Sequence, residues 1–298
     1  QGMPALALRN RAEFGYTSAT ADPSIAKVLD ALRSRQGESG AFAQWQNPNQ
    51  TSDFSSVYAT HFLVEAKERG IAVPGDLLKR AIEYTTELAG RETENLEGER
   101  LRAYAVYVLT RSGVVTSQYL TSVQKSVEGS YEGKWKNDVL AAYLAASYKL
   151  LKQERKAQQL AKELKLGVLT DADTDYANYY DPLIRDSVVL YILARHFPDR
   201  LAKLDGDAVL SLVGPIGKGT YNTLSSAYTI LALDALAQLA SEQPSGQLSI
   251  TELLDNGQKR PVVLPANLVP SVKFAPDISK LLIGSTGPLR AFYQTTQS

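Results

Sequence analysis

Cysteine is absent from the 298 residues. No disulfide, thiolate zinc site or cysteine nucleophile can form within them, although the absence names no compartment. Histidine occurs twice, tryptophan twice and methionine once. Charge of one sign is missing as well: 32 basic residues balance 32 acidic ones, so no net field draws the chain to nucleic acid or to an anionic membrane. Long hydrophobic runs are also missing. The strongest, ILALDALAQLA over 230–240, is interrupted by Asp234 and falls short of the roughly 20 residues needed to span a bilayer. What remains is an ordinary globular composition, enough for one large domain or for a domain with a smaller companion.

What is there is mostly helix. Ser24 is positioned to cap IAKVLDALRSRQ, FSSVYATHFLVEAKER closes at Gly70, and Pro74-Gly75 opens DLLKRAIEYTTELA, which closes at Gly90. LEGERLRAYAVYVLTRS closes at Gly113 and is followed by SQYLTSVQKSV, NDVLAAYLAASYKLLK, ERKAQQLAKELKL, PLIRDSVVLYILARHF, RLAKLDGDAVLSLV and NTLSSAYTILALDALAQLA. Ten helices in succession are expected, with no strand between them.

These helices alternate in kind. Aligning the more apolar member of each pair stacks VYAT, AYAV, AYLA, VVLY and AYTI, whose second positions are Tyr58, Tyr104, Tyr143, Val188 and Tyr228. Four tyrosines in five rows mark an internal repeat. The column reads foremost as core packing, with an aromatic binding stripe as the alternative. Helices apolar around most of their circumference must be buried, whereas partners such as AQQLAKELK carry a single apolar stripe. Two concentric layers follow, so the fold class expected is mainly α: an α/α toroid of helical hairpins over 1–243, with an open solenoid of the HEAT type as the competing arrangement.

The texture changes after Pro244-Ser245-Gly246. LSITELL, Asn256-Gly257 and QKRPVVL form a hairpin signal, with a turn dipeptide that tolerates positive φ at both positions. LVPSVKF, KLLIGS and LRAFYQTT read as further strands, giving a small β portion over 244–298. The last of these stops without a cap, and Gln1-Gly2-Met3 reads as a tag scar to be left out of fold reasoning. Both ends thus read as cuts from something longer.

Candidate chemistry is sparse. Asp171, Asp173 and Asp175 form the sharpest carboxylate cluster, but a calcium loop fails because its sixth position is Tyr176 and its twelfth is Pro182. As a general acid the cluster invites comparison with terpene cyclases, and as solvated charge it suits a nearby helix start. His61 is followed by Glu65, which is one pair and not a metal site. Prenyltransferase zinc sites need a cysteine that is missing here. No G-x-S-x-G elbow occurs, and GPIGKGTYN lacks the Walker spacing. No catalytic, cofactor-binding or metal-binding residue is therefore assigned, no cofactor is expected, and the chain is expected not to be an enzyme. In QGESGAFAQW (36–45), Gly37 and Gly40 punctuate a helix exit, and Phe42 and Trp45 are expected to pack that turn onto the next hairpin.

RQGESGAFAQW (35–45), DFSSVYATHFLVEA (53–66), IRDSVVLYILA (184–194) and NTLSSAYTILALDALA (222–237), in that order and with a β segment after them, resemble the thioester-containing domain of the α2-macroglobulin and complement proteins, in its bacterial branch. The resemblance implies a toroid inserted into a CUB-type β-sandwich, of which 244–298 would be part. It also implies membership of a large periplasmic or envelope protein, membrane-anchored through a missing N-terminus, that offers a bait segment and traps proteases broadly when the bait is cut. Its partners would be proteases, met through the full-length protein, along with neighbouring domains and other envelope proteins, but no nucleic acid. Thioester-bearing members carry Gly-Cys-x-Glu-Gln near the start of the toroid, and this chain departs from them by having no cysteine. Either the chain begins after that motif or it belongs to the thioester-lacking, MagD-like class, and the second is favoured. The rival readings are a toroid enzyme using Asp171, Asp173 or Asp175 as acid, which requires those carboxylates to face the central cavity, and a pure protein-interaction module.

Overall fold

The computed structural model describes residues 1–45, 50–201, 203–204, 206–241, 246, 248–264 and 272–287. Chain contacts divide it into two units, one of residues 1–10 and 16–236, the other of 11–15 and 237–298.

The larger unit is helical. Chain order runs α1 (Gly2–Leu8), α2 (Ser18–Arg35), α3 (Asp53–Glu68), α4 (Gly75–Gly90), α5 (Leu96–Arg111) and α6 (Ser117–Ser130). It continues with α7 (Val139–Leu150), α8 (Glu154–Glu163), α9 (Pro182–His196), α10 (Pro198–Leu201), α11 (Gly206–Gly217) and α12 (Thr223–Ser241). Side-chain caps start several of them: Ser52 accepts from the amide of Ser55, Asn95 from that of Gly98, Asp138 from that of Leu140 and Asp181 from that of Ile184. After α3 and α5 the chain turns through Gly70 (φ +76°) and Gly113 (φ +87°), where only glycine is unstrained.

Burial separates two layers. α7 buries ten of its 12 residues and α9 twelve of its 15, whereas α6 buries three of 14 and α8 two of ten. The deeply buried helices touch in sequence, α1 on α3, α3 on α5, α5 on α7 and α7 on α9. α12 then joins both ends of this row. Its Thr229 shares a 2.8 Å hydrogen bond with Ser187 of α9, while its Tyr228 ring meets Tyr58 of α3 at 5.5 Å and its Asp234 pairs with Arg69 at 2.9 Å. The inner helices thus close a circuit, the arrangement of a toroid; an open solenoid would keep α12 away from α3.

Several local expectations are corrected. α2 starts at Ser18, six residues before the expected cap Ser24, because Thr17 and Thr20 form a reciprocal capping box, and it carries Pro23 inside its body. The tag-scar reading of the first residues fails on packing: Met3 is 2% exposed, and a side chain at Gly2 would meet Phe62 Cε2 at 2.6 Å. The single helix expected over RLAKLDGDAVLSLV is two, α10 and α11.

QGESGAFAQW is scaffold, although its tryptophan is misplaced in the expectation. Gly40 has φ +89°, and a Cβ there would sit 2.2 Å from the carbonyl oxygen of Arg80 in α4. Gln36 Nε2 donates to the carbonyls of Gly40 and Leu77, and the Arg80 guanidinium donates to those of Gly37 and Glu38. Phe42 is buried at 1%, but Trp45 is 69% exposed. The ring anchored in the core at this turn is therefore that of Phe42, whose amide donates to Ser56 Oγ at 2.8 Å.

The smaller unit carries β1 (Leu248–Leu254), β2 (Lys259–Val262) and β3 (Ile278–Ser285), antiparallel in the order β2-β1-β3. Ile250 faces Val262 on one side and Ile283 on the other. In the β1–β2 turn Gly257 has φ +81° and Asn256 does not share it. The amide of Gly257 donates to Leu254 and that of Leu254 to Gln258, which is a type I turn with a glycine bulge in place of the mirror-image turn expected from the dipeptide. The strand expected in LVPSVKF falls partly outside the described residues and its part at 272–274 forms none; LRAFYQTTQS lies wholly outside them, as do Pro244 and Ser245.

Candidate functional site

The carboxylate cluster lines neither of the two cavities described below. Asp171 and Asp173 are exposed in a short 3-10 turn, where Asp173 Oδ2 accepts from the amide and hydroxyl of Thr170 at 2.8 and 3.0 Å. Asp175 caps the next turn by accepting from the amide and side chain of Asn178. These bonds use the carboxylates as local caps, and hydrogen bonds from Thr170 hold the Asp173 carboxyl below its ordinary value.

The tyrosine column converges on the middle of the circuit. Tyr104 and Tyr143 stack at 4.8 Å, Tyr228 and Tyr104 share a hydroxyl–hydroxyl hydrogen bond at 3.2 Å, and Val188 is buried in the fourth place. Burial pushes the phenols of Tyr104, Tyr143 and Tyr228 up, so they stay neutral. They are core, and on one side they also form a wall.

That wall belongs to a cavity of about 460 Å3 at the N-terminal halves of the inner helices. Phe54 of α3, Arg100 and Tyr104 of α5, Tyr143 of α7, Tyr180 just before α9 and Tyr228 of α12 line it. Arg100 holds Asp138 through Nε and Nη2 at 2.7–3.0 Å and lies 3.6 Å over the Tyr180 ring, a cation–π contact on a partly desolvated face. A wider cleft of about 590 Å3 has Met3, Leu32, Phe42, Tyr58 and Phe62 on its walls.

The opposite ends of the same helices hold a buried charge network. Glu65 is fully buried, and its carboxylate meets Arg69 at 2.9 Å, Arg111 at 2.5 Å, Arg195 at 3.4 Å and the Tyr191 hydroxyl at 3.0 Å. Arg111 also reaches Glu68, Arg195 donates to Glu68, and Arg69 reaches Asp234. Three carboxylates thus face three guanidiniums, each guanidinium at or just past a helix C-terminus, where the helix dipole favours a cation. Burial alone would raise the Glu65 carboxyl, but Arg111, Arg195 and Arg69 together overcome it and hold the group below the usual carboxylate range.

Both histidines adjoin this network. His61 Nδ1 lies 2.7 Å from the Tyr104 hydroxyl, and its Nε2 lies 2.7 Å from Arg111 Nη1. A guanidinium only donates, so Nε2 accepts and the ring proton sits on Nδ1. Burial, then the Arg111 charge, pushes His61 down to about 3; burial and Arg195 do the same to His196, which meets the Tyr107 hydroxyl at 3.0 Å. The i,i+4 pair read from sequence is real but weak, at 3.9 Å. What sequence reasoning missed is the rest of the set, and the available signal was charge in the last turns of helices that are otherwise apolar.

No protein-family model matches the chain. Over 231 residues, 77% of its length, it is 38% identical to an alpha-2-macroglobulin of Rickettsia conorii, and over 233 residues it is 36% identical to an alpha-2-macroglobulin homolog of Yersinia pestis. It spans only 12% of the length of either. Among solved structures, the Escherichia coli alpha-2-macroglobulin activated by porcine elastase matches 95% of the chain, and 24% of its own, with a TM-score of 0.65 at 17% identity. The Salmonella protein reacted with methylamine matches 95% of the chain, and 18% of its own, at 0.64 and 19%. Sequence identity at this level, on a fold shared with the bacterial structures, shows that the chain belongs to the alpha-2-macroglobulin family.

Proposed function

We propose that this chain is a segment of a periplasmic bacterial protease inhibitor of the alpha-2-macroglobulin type, in which it acts as scaffold. The identity of 38% to an alpha-2-macroglobulin over 77% of the chain carries the reading. In this reading the intact protein presents a bait, proteases cut it, and rearrangement traps them, while the helical unit docks on neighbouring domains and the three-stranded sheet is part of a CUB-like sandwich. Envelope anchoring and other envelope partners belong to the same proposal. The segment itself is non-catalytic, and its capture of protease is non-covalent: with no cysteine in 298 residues, an internal thioester cannot form within them. The favoured wider form of this reading is a thioester-lacking protein.

Incubating the intact protein with trypsin and resolving the products on a denaturing gel tests this. A cleaved bait, lost activity on large substrates and no boiling-resistant adduct mapping to these residues are expected. An adduct on this segment overturns the non-covalent reading, and undiminished protease activity overturns the inhibitor reading. The isolated chain is expected neither to retain nor to inhibit trypsin.

A further inference from the structure

The tip of the β1–β2 hairpin carries a reactive pair that the trapping of proteases does not use. Asn256 alone among the asparagines of the chain is followed by glycine. Asn95, Asn137, Asn178 and Asn222 precede residues with side chains, which crowd the backbone nitrogen beside the asparagine. Two of them are also fixed as helix caps, Asn95 by the amide of Gly98 and Asn222 by those of Leu224 and Ser225. At the hairpin tip residues 255–258 are all exposed, and a Cβ at Gly257 would meet nothing within 4 Å. Water and hydroxide therefore reach the Gly257 nitrogen without obstruction.

The turn also activates the side chain. Asn256 Oδ1 accepts from the Gln258 amide at 2.9 Å, an Asx turn that folds the carboxamide back over its own backbone. That amide polarises the Cγ–Oδ1 bond and is placed to hold an oxyanion as one forms on Oδ1. One feature opposes reaction: the Gly257 amide donates to the Leu254 carbonyl at 2.9 Å, so its proton is released only when that bond opens. At an exposed tip such opening is local and leaves the strand ladder paired.

We propose that Asn256 is a site of spontaneous deamidation, through a succinimide formed with Gly257. Hydroxide takes the Gly257 amide proton, the nitrogen attacks Asn256 Cγ, and the new N–Cγ bond displaces Nδ2, which water protonates and which departs as ammonia. Water then opens the ring. Cleavage of the N–Cγ bond leaves aspartate; cleavage between the nitrogen and the backbone carbonyl carbon of residue 256 leaves isoaspartate, with the chain running through Cβ and Cγ. Either product adds a carboxylate beside Asp255. Isoaspartate also inserts a methylene into a turn closed by the hydrogen bond from the Leu254 amide to the Gln258 carbonyl, which loosens the adjoining pair of Leu253 and Lys259.

Peptide mass mapping of the 298-residue chain during incubation in mildly alkaline buffer tests this. The peptide holding Asn256 is expected to show the exchange of NH2 for OH at least tenfold faster than those holding Asn95, Asn137, Asn178 or Asn222, with isoaspartate in excess of aspartate. Gly257→Ala is expected to slow the change at least tenfold. If alanine at this positive φ disturbs the hairpin, the isoaspartate content of the unaltered chain, which only ring opening produces, decides alone. An unchanged Asn256, the same rate at all five asparagines, or aspartate without isoaspartate overturns the assignment. Trapping of proteases is a separate property and is unaffected by either result.

Discussion

At their C-terminal ends, α3, α5, α9 and α12 hold three carboxylates and three guanidiniums against one another, with Glu65 and Arg111 almost wholly enclosed. At their N-terminal halves the same helices leave a cavity of about 460 Å3, walled largely by rings. One end binds the circuit together through interactions between residues as far as 165 apart in sequence; the other leaves room. A buried ion cluster contributes little net stability over an apolar core, yet losing one partner strands the rest. Closure of the circuit is therefore most fragile where it is most tightly paired.

Removing Arg111 should break that comparison most severely. Arg111→Met takes a donor from Glu65, Glu68, His61 and Tyr191 at once and should cost about 3–5 kcal/mol, read as a shift of the urea midpoint at unchanged slope. Tyr179→Ala, on the cavity side, should cost far less; equal losses at the two ends would erase the distinction. Gly40→Ala comes next. It forces a side chain into φ +89° against the Arg80 carbonyl, and a loss of about 3 kcal/mol is expected from strain and displacement of α4. A chain that tolerates alanine there would show that the α2–α4 clamp is loose.

Acid should weaken the charged end before it affects the cavity. His61 is held neutral down to about 3 while its ordinary value is 6.5. The unfolded chain therefore gains a proton that the folded one refuses, and the stability present above pH 6.5 is lost as pH falls through that window. His61 alone accounts for about 2 kcal/mol by pH 5, with His196 adding in the same direction. Glu65 acts later: its carboxyl is depressed, so its contribution is complete above about pH 4.3 and declines only below it. Melting temperatures that stay level between pH 7 and 5 would contradict the assignment of two neutral histidines.

The repeat of apolar helices and their capping residues could be read from period and cap chemistry because both are local, and so could the tyrosine column, whose ring contacts in space follow its recurrence along the chain. The charge network could not. Glu65, Arg111 and Arg195 are separated by 46 and 84 residues, and nothing nearby distinguishes a solvated last-turn charge from a buried one. Local patterns also misled at Pro23, where the capping box at Thr17 outweighs the helix-breaking tendency of proline. Of the carboxylates at 171–175, Asp173 and Asp175 are there for a local reason, as caps of short turns.

Trp45 gives the smallest expected effect and the sharpest contrast with what composition suggests. A tryptophan beside a buried phenylalanine is ordinarily core, and its loss from a core costs about 3–5 kcal/mol. Here the side chain is 69% exposed, so Trp45→Ala should change stability by no more than about 0.5 kcal/mol. Phe42, three residues earlier and 1% exposed, should show the full core penalty on the same change. If the two alanine variants unfold at the same urea concentration, the turn is stapled by both rings; if only Phe42→Ala shifts, the Phe42 ring alone holds it.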